Sequence, residues 1–162
     1  MVESINDESR QKAYLVEVNT SWQVEHSVDE MVNGIDIVAC MIQLTKGLLT
    51  PLAELEMRNK PKGHAVQERM YAEDPAVAFQ PSPGLLTQVD FPASTQQLRI
   101  DTWVTAGTEI SAKYDPMIAK VIFHDDNRTS AIKGLQKALE AIQLYGTATN
   151  VSYLAEFLQE EA

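Results

Sequence analysis

The sequence predicts an α+β fold, a mostly antiparallel sheet with packed helices. Three observations carry that prediction. Apolar and polar residues alternate with period two in residues 14–26 and 98–104, the pattern of half-buried strands, and residues 63–73 divide into two faces as a further strand. Ile132, Leu135, Leu139 and Ile142 recur at the helical period and mark one buried helix face. Turn chemistry at Asn6, Asp7, Glu8 and Ser9 joins a strand at residues 2–5 to a return strand from Ala13, so the first two strands form a hairpin.

At 162 residues the chain is one domain, or one domain with a piece of another, and is long enough to bury a sizeable core. A formal charge of -10 argues against nucleic acid or an anionic membrane surface as the main partner. The single cysteine, Cys40, lies among Val38, Ala39, Met41 and Ile42 and reads as a packed thiol. It excludes a disulfide scaffold and fits a reducing compartment. No apolar run approaches bilayer-crossing length, and the N-terminus lacks the basic start and apolar core of a signal peptide. A cytoplasmic protein with neither membrane nor nucleic-acid partner is expected.

The stretch YLVEVNTSWQVEH, residues 14–26, carries the chemistry. Val16, Val18, Thr20, Trp22 and Val24 form one face. Glu17, Asn19, Ser21, Gln23 and Glu25 form the other, with two carboxylates, two amides and a hydroxyl but no Lys or Arg. Oxygen ligands two residues apart suit Mg²⁺ or Mn²⁺, which take one or two carboxylates and complete their shells with water and phosphate. Alternation by itself describes a surface strand with a solvated face better than it describes a site.

The residue order says more. Glu17, Asn19, Gln23, Val24, Glu25 and His26, followed by Glu30, Met31 and Gly34, resemble the biotin carboxylase signature E-x-N-x-R-x-Q-V-E-H. Residues 63–75, GHAVQERMYAEDP, are similar to a second segment of that family. The resemblance implies that Glu17 and Asn19 hold the metals of MgATP and that Gln23 and Val24 seat bicarbonate. It implies that Glu25 is the general base that deprotonates bicarbonate. Arg69 would stabilise the enolate-like oxygen of biotin, a task suited to a guanidinium that stays protonated. Without the resemblance, Arg69 reads as a surface residue paired with Glu68 or Glu73. One position departs: the family's arginine is Ser21, which lacks its charge and two-pronged donor set. PSPGLL, DFP, LRIDTWV, GTEIS and YDPMIAK resemble the urea carboxylase branch, the biotin carboxylase part of urea amidolyase. The resemblance also makes residues 1–47 the end of an ATP-grasp domain with following helices, and residues 48–162 the biotin carboxylase C-terminal domain.

The remaining elements follow in order. Ser27 and Glu30 fit a capping box, with the helix interrupted at Asn33-Gly34 and resuming to Lys46. There Ile35, Val38, Met41 and Ile42 make an apolar stripe and Gly47 a stop. Residues 48–62 read as a loop around a short helical turn, 75–84 as a proline-rich loop, and 85–91, 98–104 and 117–123 as strands. Lys120 reads as a strand-edge charge, and His124 beside Asp125 and Asp126 as a solvated turn in preference to a metal site. Asn127 or Thr129 caps a helix running to about Tyr145. Asn150 caps a last one that uses Tyr153, Leu154, Phe157 and Leu158.

Two functions from different classes fit. The first is a fragment of a biotin-dependent carboxylase. The full enzyme would use MgATP to activate bicarbonate as carboxyphosphate, and carrier-linked biotin would capture the CO₂ released. Its partners would be the biotin carboxyl carrier, the carboxyltransferase parts and the missing ATP-grasp lobe, without which this chain binds no cofactor and is inactive. The second is a diverged, non-catalytic module that homodimerises or assembles with a partner; Ser21 and the missing lobe favour it. A plain Mg²⁺ hydrolase has only Glu17, Asn19 and Glu25 to draw on. The final acyl acceptor is not legible in these residues.

Overall fold

The longest run of strand-forming apolar residues, MIAKVIFHD, lies at the centre of the fold. The computed structural model describes residues 2–7, 9–19, 21, 23–58 and 60–161, with the side chains at 2, 3, 56–58, 160 and 161 excepted. A hairpin of β1 (Val2–Asp7) and β2 (Lys12–Val18) leads into helices α1 (His26–Asn33), α2 (Ile37–Thr45) and α3 (Leu52–Arg58). Then come β3 (His64–Tyr71), β4 (Glu73–Asp74), a 3-10 turn at Pro75–Val77, β5 (Gln80–Pro81), β6 (Gly84–Leu85) and β7 (Gln88–Asp90). The chain closes with β8 (Leu98–Thr102), β9 (Glu109–Ile110), β10 (Met117–Asp125), α4 (Arg128–Glu140), β11 (Gln143–Tyr145) and α5 (Val151–Glu161).

β10 is the middle strand of a three-stranded sheet in the order β3-β10-β8, and both pairings are antiparallel. The small sheets β4-β5, β6-β9 and β11-β7 are antiparallel too, so the expected α+β class holds. Ile118, Ala119, Val121 and Ile122 are almost wholly buried, as a strand covered on both faces requires. α4 covers one face with Ala131, Ile132, Leu135 and Leu139, and Leu154 and Leu158 of α5 close the same core. Gly134 allows that approach, because a Cβ there would run into the Phe123 ring. Lys120 and Phe123 point to opposite faces by strand alternation. α1 therefore lies across the sheet from α4, with Ser27 against Lys120.

Several expectations fail for identifiable reasons. Val16 and Val18 are 55% and 58% exposed, because β2 pairs only with β1 among the described residues and nothing there covers its apolar side. Thr20 and Trp22, assigned to that side, lie outside the described residues. The α2 stripe is likewise uncovered: Val38, Met41 and Ile42 are exposed. Cys40 is only half-buried, lining with Ile35, Ile37 and Leu55 an open apolar hollow of about 500 Å³. Periodicity identifies a face to be covered, not what covers it.

Ser27 is no N-cap. Glu25 occupies that position without a side-chain cap bond, and Ser27 is fully buried in a polar network. Glu30 reaches forward to the Ile37 amide instead of back. The strand expected at 85–91 splits in two, since Leu86 turns wholly into the core. α4 stops at Glu140, and Gln143–Tyr145 pairs with β7; buried Ile142 prolongs the apolar stripe past the helix end. Asn127 is the cap, accepting from the Ser130 amide. Lys120 lies on the central strand, not an edge. His124 is within β10, its Nε2 2.7 Å from the Lys62 carbonyl, and is not in a turn. Tyr153 and Phe157 stack on each other outside the core, with Phe79 edge-on to Tyr153.

Candidate active site

Two segments 44 residues apart in sequence meet on the face of the sheet opposite α4. The Gln23–Glu25 stretch turns directly into α1. The His26 amide donates to the Gln23 carbonyl at 3.3 Å and the Val28 amide to the Glu25 carbonyl at 3.0 Å. The His26 ring nitrogen Nδ1 also lies 2.8 Å from the Gln23 carbonyl. This tight turn presents the Glu25 side chain toward β3, where the Arg69 guanidinium ion-pairs with its carboxylate. Arg69 thus pairs with Glu25, not with Glu68 or Glu73. Both partners stay more than a third exposed, and an ion pair that wet adds only about 0–1 kcal/mol to stability. Its significance is placement: a carboxylate and a guanidinium share one solvent-reached cleft of about 530 Å³, floored by β3 and closed by Val28 and Asn150.

Arg69 owes its position to Asn150. Among the described residues β3 is an edge strand, its outward backbone groups without a strand partner. Asn150, 5% exposed, supplies one. Its Oδ1 accepts from the Tyr71 amide at 2.8 Å and its Nδ2 donates to the Arg69 carbonyl at 3.1 Å. Its own amide donates to the Tyr71 carbonyl at 3.1 Å. The side chain read as a helix cap therefore acts as a short strand mimic behind the site arginine.

Beneath Glu25 lies a second set of charges. Lys120 Nζ is 2.8 Å from Ser27 Oγ, 3.2 Å from Asp101 Oδ2 and 3.4 Å from the Val24 carbonyl. Arg99 joins Asp101 (2.8 Å) to Glu30 (2.6 Å). Burial acts to raise the Asp101 pKa, but the hydrogen bond and charge of Arg99, then those of Lys120, outweigh it and hold the carboxyl below its ordinary range. The Asp101 hydrogen bond, against some desolvation, raises the Arg99 pKa further above an already high value. The sequence reading makes Lys120 a strand-edge charge and Asn150 a helix cap, and gives Asp101 no role. The one local signal was a lone cation inside the apolar run MIAKVIF, which has to find partners if buried.

Glu17 and Asn19 lie at the end of β2. Asn19 Nδ2 donates to Glu17 Oε1 at 2.7 Å, so the two side chains sit together and exposed. Gln23 and Val24 belong to the turn that carries Glu25; Ser21 is exposed just before it. Among the described residues no three His, Cys, Asp or Glu side chains cluster as a metal site. A carboxylate and an amide side by side nevertheless make a hard oxygen pair that fits Mg²⁺ or Mn²⁺ when water and phosphate supply the other ligands.

The family profile described as biotin carboxylase C-terminal domain matches residues 67–162. The profile described as carbamoyl-phosphate synthase L chain, ATP binding domain, matches residues 1–54. Urea amidolyase of Lachancea kluyveri is 44% identical over 99% of the chain, which covers 8% of that protein. The crystal structure of Kluyveromyces lactis urea carboxylase superposes with a TM-score of 0.89 at 41% identity over 97% of this chain and 14% of that one. A biotin carboxylase domain dimer of Hydrogenobacter thermophilus 2-oxoglutarate carboxylase, solved with MgADP, ADP and bicarbonate, gives 0.89 at 31% identity over 98% of this chain and 34% of that one. The chain spans less than a tenth of the length of the urea amidolyase it matches.

Proposed function

The chain belongs to the biotin carboxylase family, and from that premise we propose that it is the C-terminal piece of an ATP- and bicarbonate-dependent enzyme that carboxylates carrier-linked biotin. The single observation that carries the reading is the meeting of Glu25 and Arg69 in one cleft from segments 44 residues apart. Residues 1–47 are read as the end of an ATP-grasp domain and 48–162 as the C-terminal domain. Similarity to urea amidolyase and urea carboxylase supports urea as the final acceptor.

The roles follow from chemistry at named atoms. The Glu25 carboxylate, exposed enough to meet a small anion's proton, is the general base toward bicarbonate. Arg69 is the cation that would stabilise an oxyanion forming on the ureido group of biotin, and its ion pair with Glu25 keeps the two side chains together in one cleft. Gln23 and Val24, in the same turn as Glu25, seat bicarbonate. Glu17 and Asn19 would hold Mg²⁺ or Mn²⁺, which when bound offsets phosphate charge and orients the nucleotide. Among the described residues no helix is long and apolar enough to cross a membrane.

Ser21 favours a second reading. A serine in place of the family's arginine removes a cation from the bicarbonate approach, as in a diverged, non-catalytic module that dimerises or binds a partner.

ADP release in the presence of bicarbonate and free biotin tests the proposal. The chain alone is expected to release none. The longer polypeptide that supplies an ATP-grasp lobe is expected to be active, and Glu25→Gln to lower that activity by about 10²–10³-fold. A longer polypeptide without bicarbonate-dependent ADP release overturns the enzyme reading in favour of the module.

A further inference from the structure

Lys120 is the one cation on the apolar central strand, and its surroundings are built around it. Its side chain is 12% exposed, and an ammonium so buried is costly unless every N–H is satisfied. It has three N–H donors and three acceptors within reach: Val24 O, Ser27 Oγ and Asp101 Oδ2. Two of these belong to the segment that carries Glu25. Ser27, fully buried, also donates to Asp101 Oδ2 at 3.2 Å.

The sheet register puts these contacts in line with the site. Lys120 is the direct cross-strand partner of Arg69 on β3 and of Asp101 on β8. Directly opposed residues project to the same face with adjacent Cβ atoms. Arg69, Lys120 and Asp101 thus form one row across three strands, and the 24–27 turn lies over it. Arg69 grips Glu25 at one end; Lys120 grips Val24 and Ser27, the residues on either side of Glu25 and its neighbour.

We propose that Lys120 is a positioning residue for Glu25. By binding the turn on both sides through Val24 O and Ser27 Oγ, it sets the height and direction at which the Glu25 carboxylate meets Arg69. Asp101 neutralises it, and Arg99 and Glu30 extend the brace to the start of α2, where Glu30 Oε1 accepts from the Ile37 amide at 2.8 Å. Lys120 touches no reacting group in this scheme. The inference extends the assignment of Glu25 and Arg69 as a working pair, yet its test reads their geometry, not turnover, so either can fail alone.

The experiment uses the 162-residue chain itself, labelled with ¹⁵N. Two signals are followed: exchange of the His26 and Val28 amides with deuterium, and the Arg69 guanidinium Nε–H resonance. Lys120→Met keeps the length of the stem and removes the donors. It is expected to raise exchange at His26 and Val28 at least about tenfold, equivalent to about 1.4 kcal/mol of local opening. It is also expected to move the Arg69 resonance to where Glu25→Ala places it, while β8 and β10 amides keep their protection. Lys120→Arg, which retains the charge and donors, is expected to restore both signals in large part. If Lys120→Met folds with the Arg69 resonance and the two exchange rates unchanged, the proposal is overturned. If Lys120→Met does not fold, Ser27→Ala, which removes one of the gripped atoms, serves in its place with the same two readouts.

Discussion

Asn150→Ala should loosen the sheet edge and the site together. The substitution strips Oδ1 from the Tyr71 amide and Nδ2 from the Arg69 carbonyl, at a residue 5% exposed. Each buried backbone group left without a partner costs about 1–3 kcal/mol, so two cost about 2–5 kcal/mol if water gains partial access. For a chain of this length each kcal/mol corresponds to about 2–4 °C in Tm, so a drop of about 4–20 °C is expected in thermal unfolding followed by circular dichroism. Urea unfolding should show a lower midpoint at an unchanged slope. Asn150→Asp discriminates further: it keeps the acceptor for Tyr71 but turns an oxygen toward the Arg69 carbonyl, so its loss should be of the same order, not a rescue. A loss below about 1 kcal/mol for Asn150→Ala would refute the reasoning that this side chain completes β3.

Three further outcomes are expected. Gly134→Ala gains helix propensity of about 1 kcal/mol, but its methyl runs into the Phe123 ring. The overlap costs about 1–3 kcal/mol, so urea titration should show no gain and a net loss; a stabilised variant would contradict the packing. The Asp101 carboxyl has a folded pKa below its unfolded value of about 4. Its contribution is therefore present above about pH 4 and lost as pH falls through the folded value. The urea midpoint should fall between pH 5 and 2.5, and that fall should be shallower in Asp101→Asn. In the longer enzyme, Ser21→Arg should raise kcat/KM for bicarbonate about tenfold or more, the worth of one charge-assisted hydrogen bond; a decrease would mean the site is organised around the serine.

How far the fold could be read from residues depended on the range of the interaction involved. The period of two located β3 and β8 and an apolar run located β10, and the Asn33-Gly34 break and the Asn127 cap were legible because their partners lie within a few residues. Ser27 was misread for the opposite reason. S-x-x-E is a local capping signal, but its true partners, Asp101 and Lys120, are 74 and 93 residues away, and they win because a buried charge must be satisfied. Asn150 does stand at the start of α5, its carbonyl accepting from the Leu154 amide, but its side chain turns to the edge of β3, 79 residues off. The apolar faces of β2 and α2 were read correctly as apolar, yet burial depends on a covering surface that these residues do not contain. For the site, composition and period suggested only a wet strand face. Residue order, by resemblance, supplied the candidates, and the fold adds that Glu25 and Arg69 touch.

The most direct test of that pairing is a double-mutant cycle on biotin carboxylation by the longer enzyme, with Glu25→Gln, Arg69→Met and both together. Each single change is expected to lower kcat by about 10²–10³-fold, as loss of a base or of an oxyanion partner does. The double variant should fall well short of the product of the two losses, with a coupling above about 1 kcal/mol. Losses that simply multiply, or a single variant that turns over like the parent, would contradict a shared reaction centre.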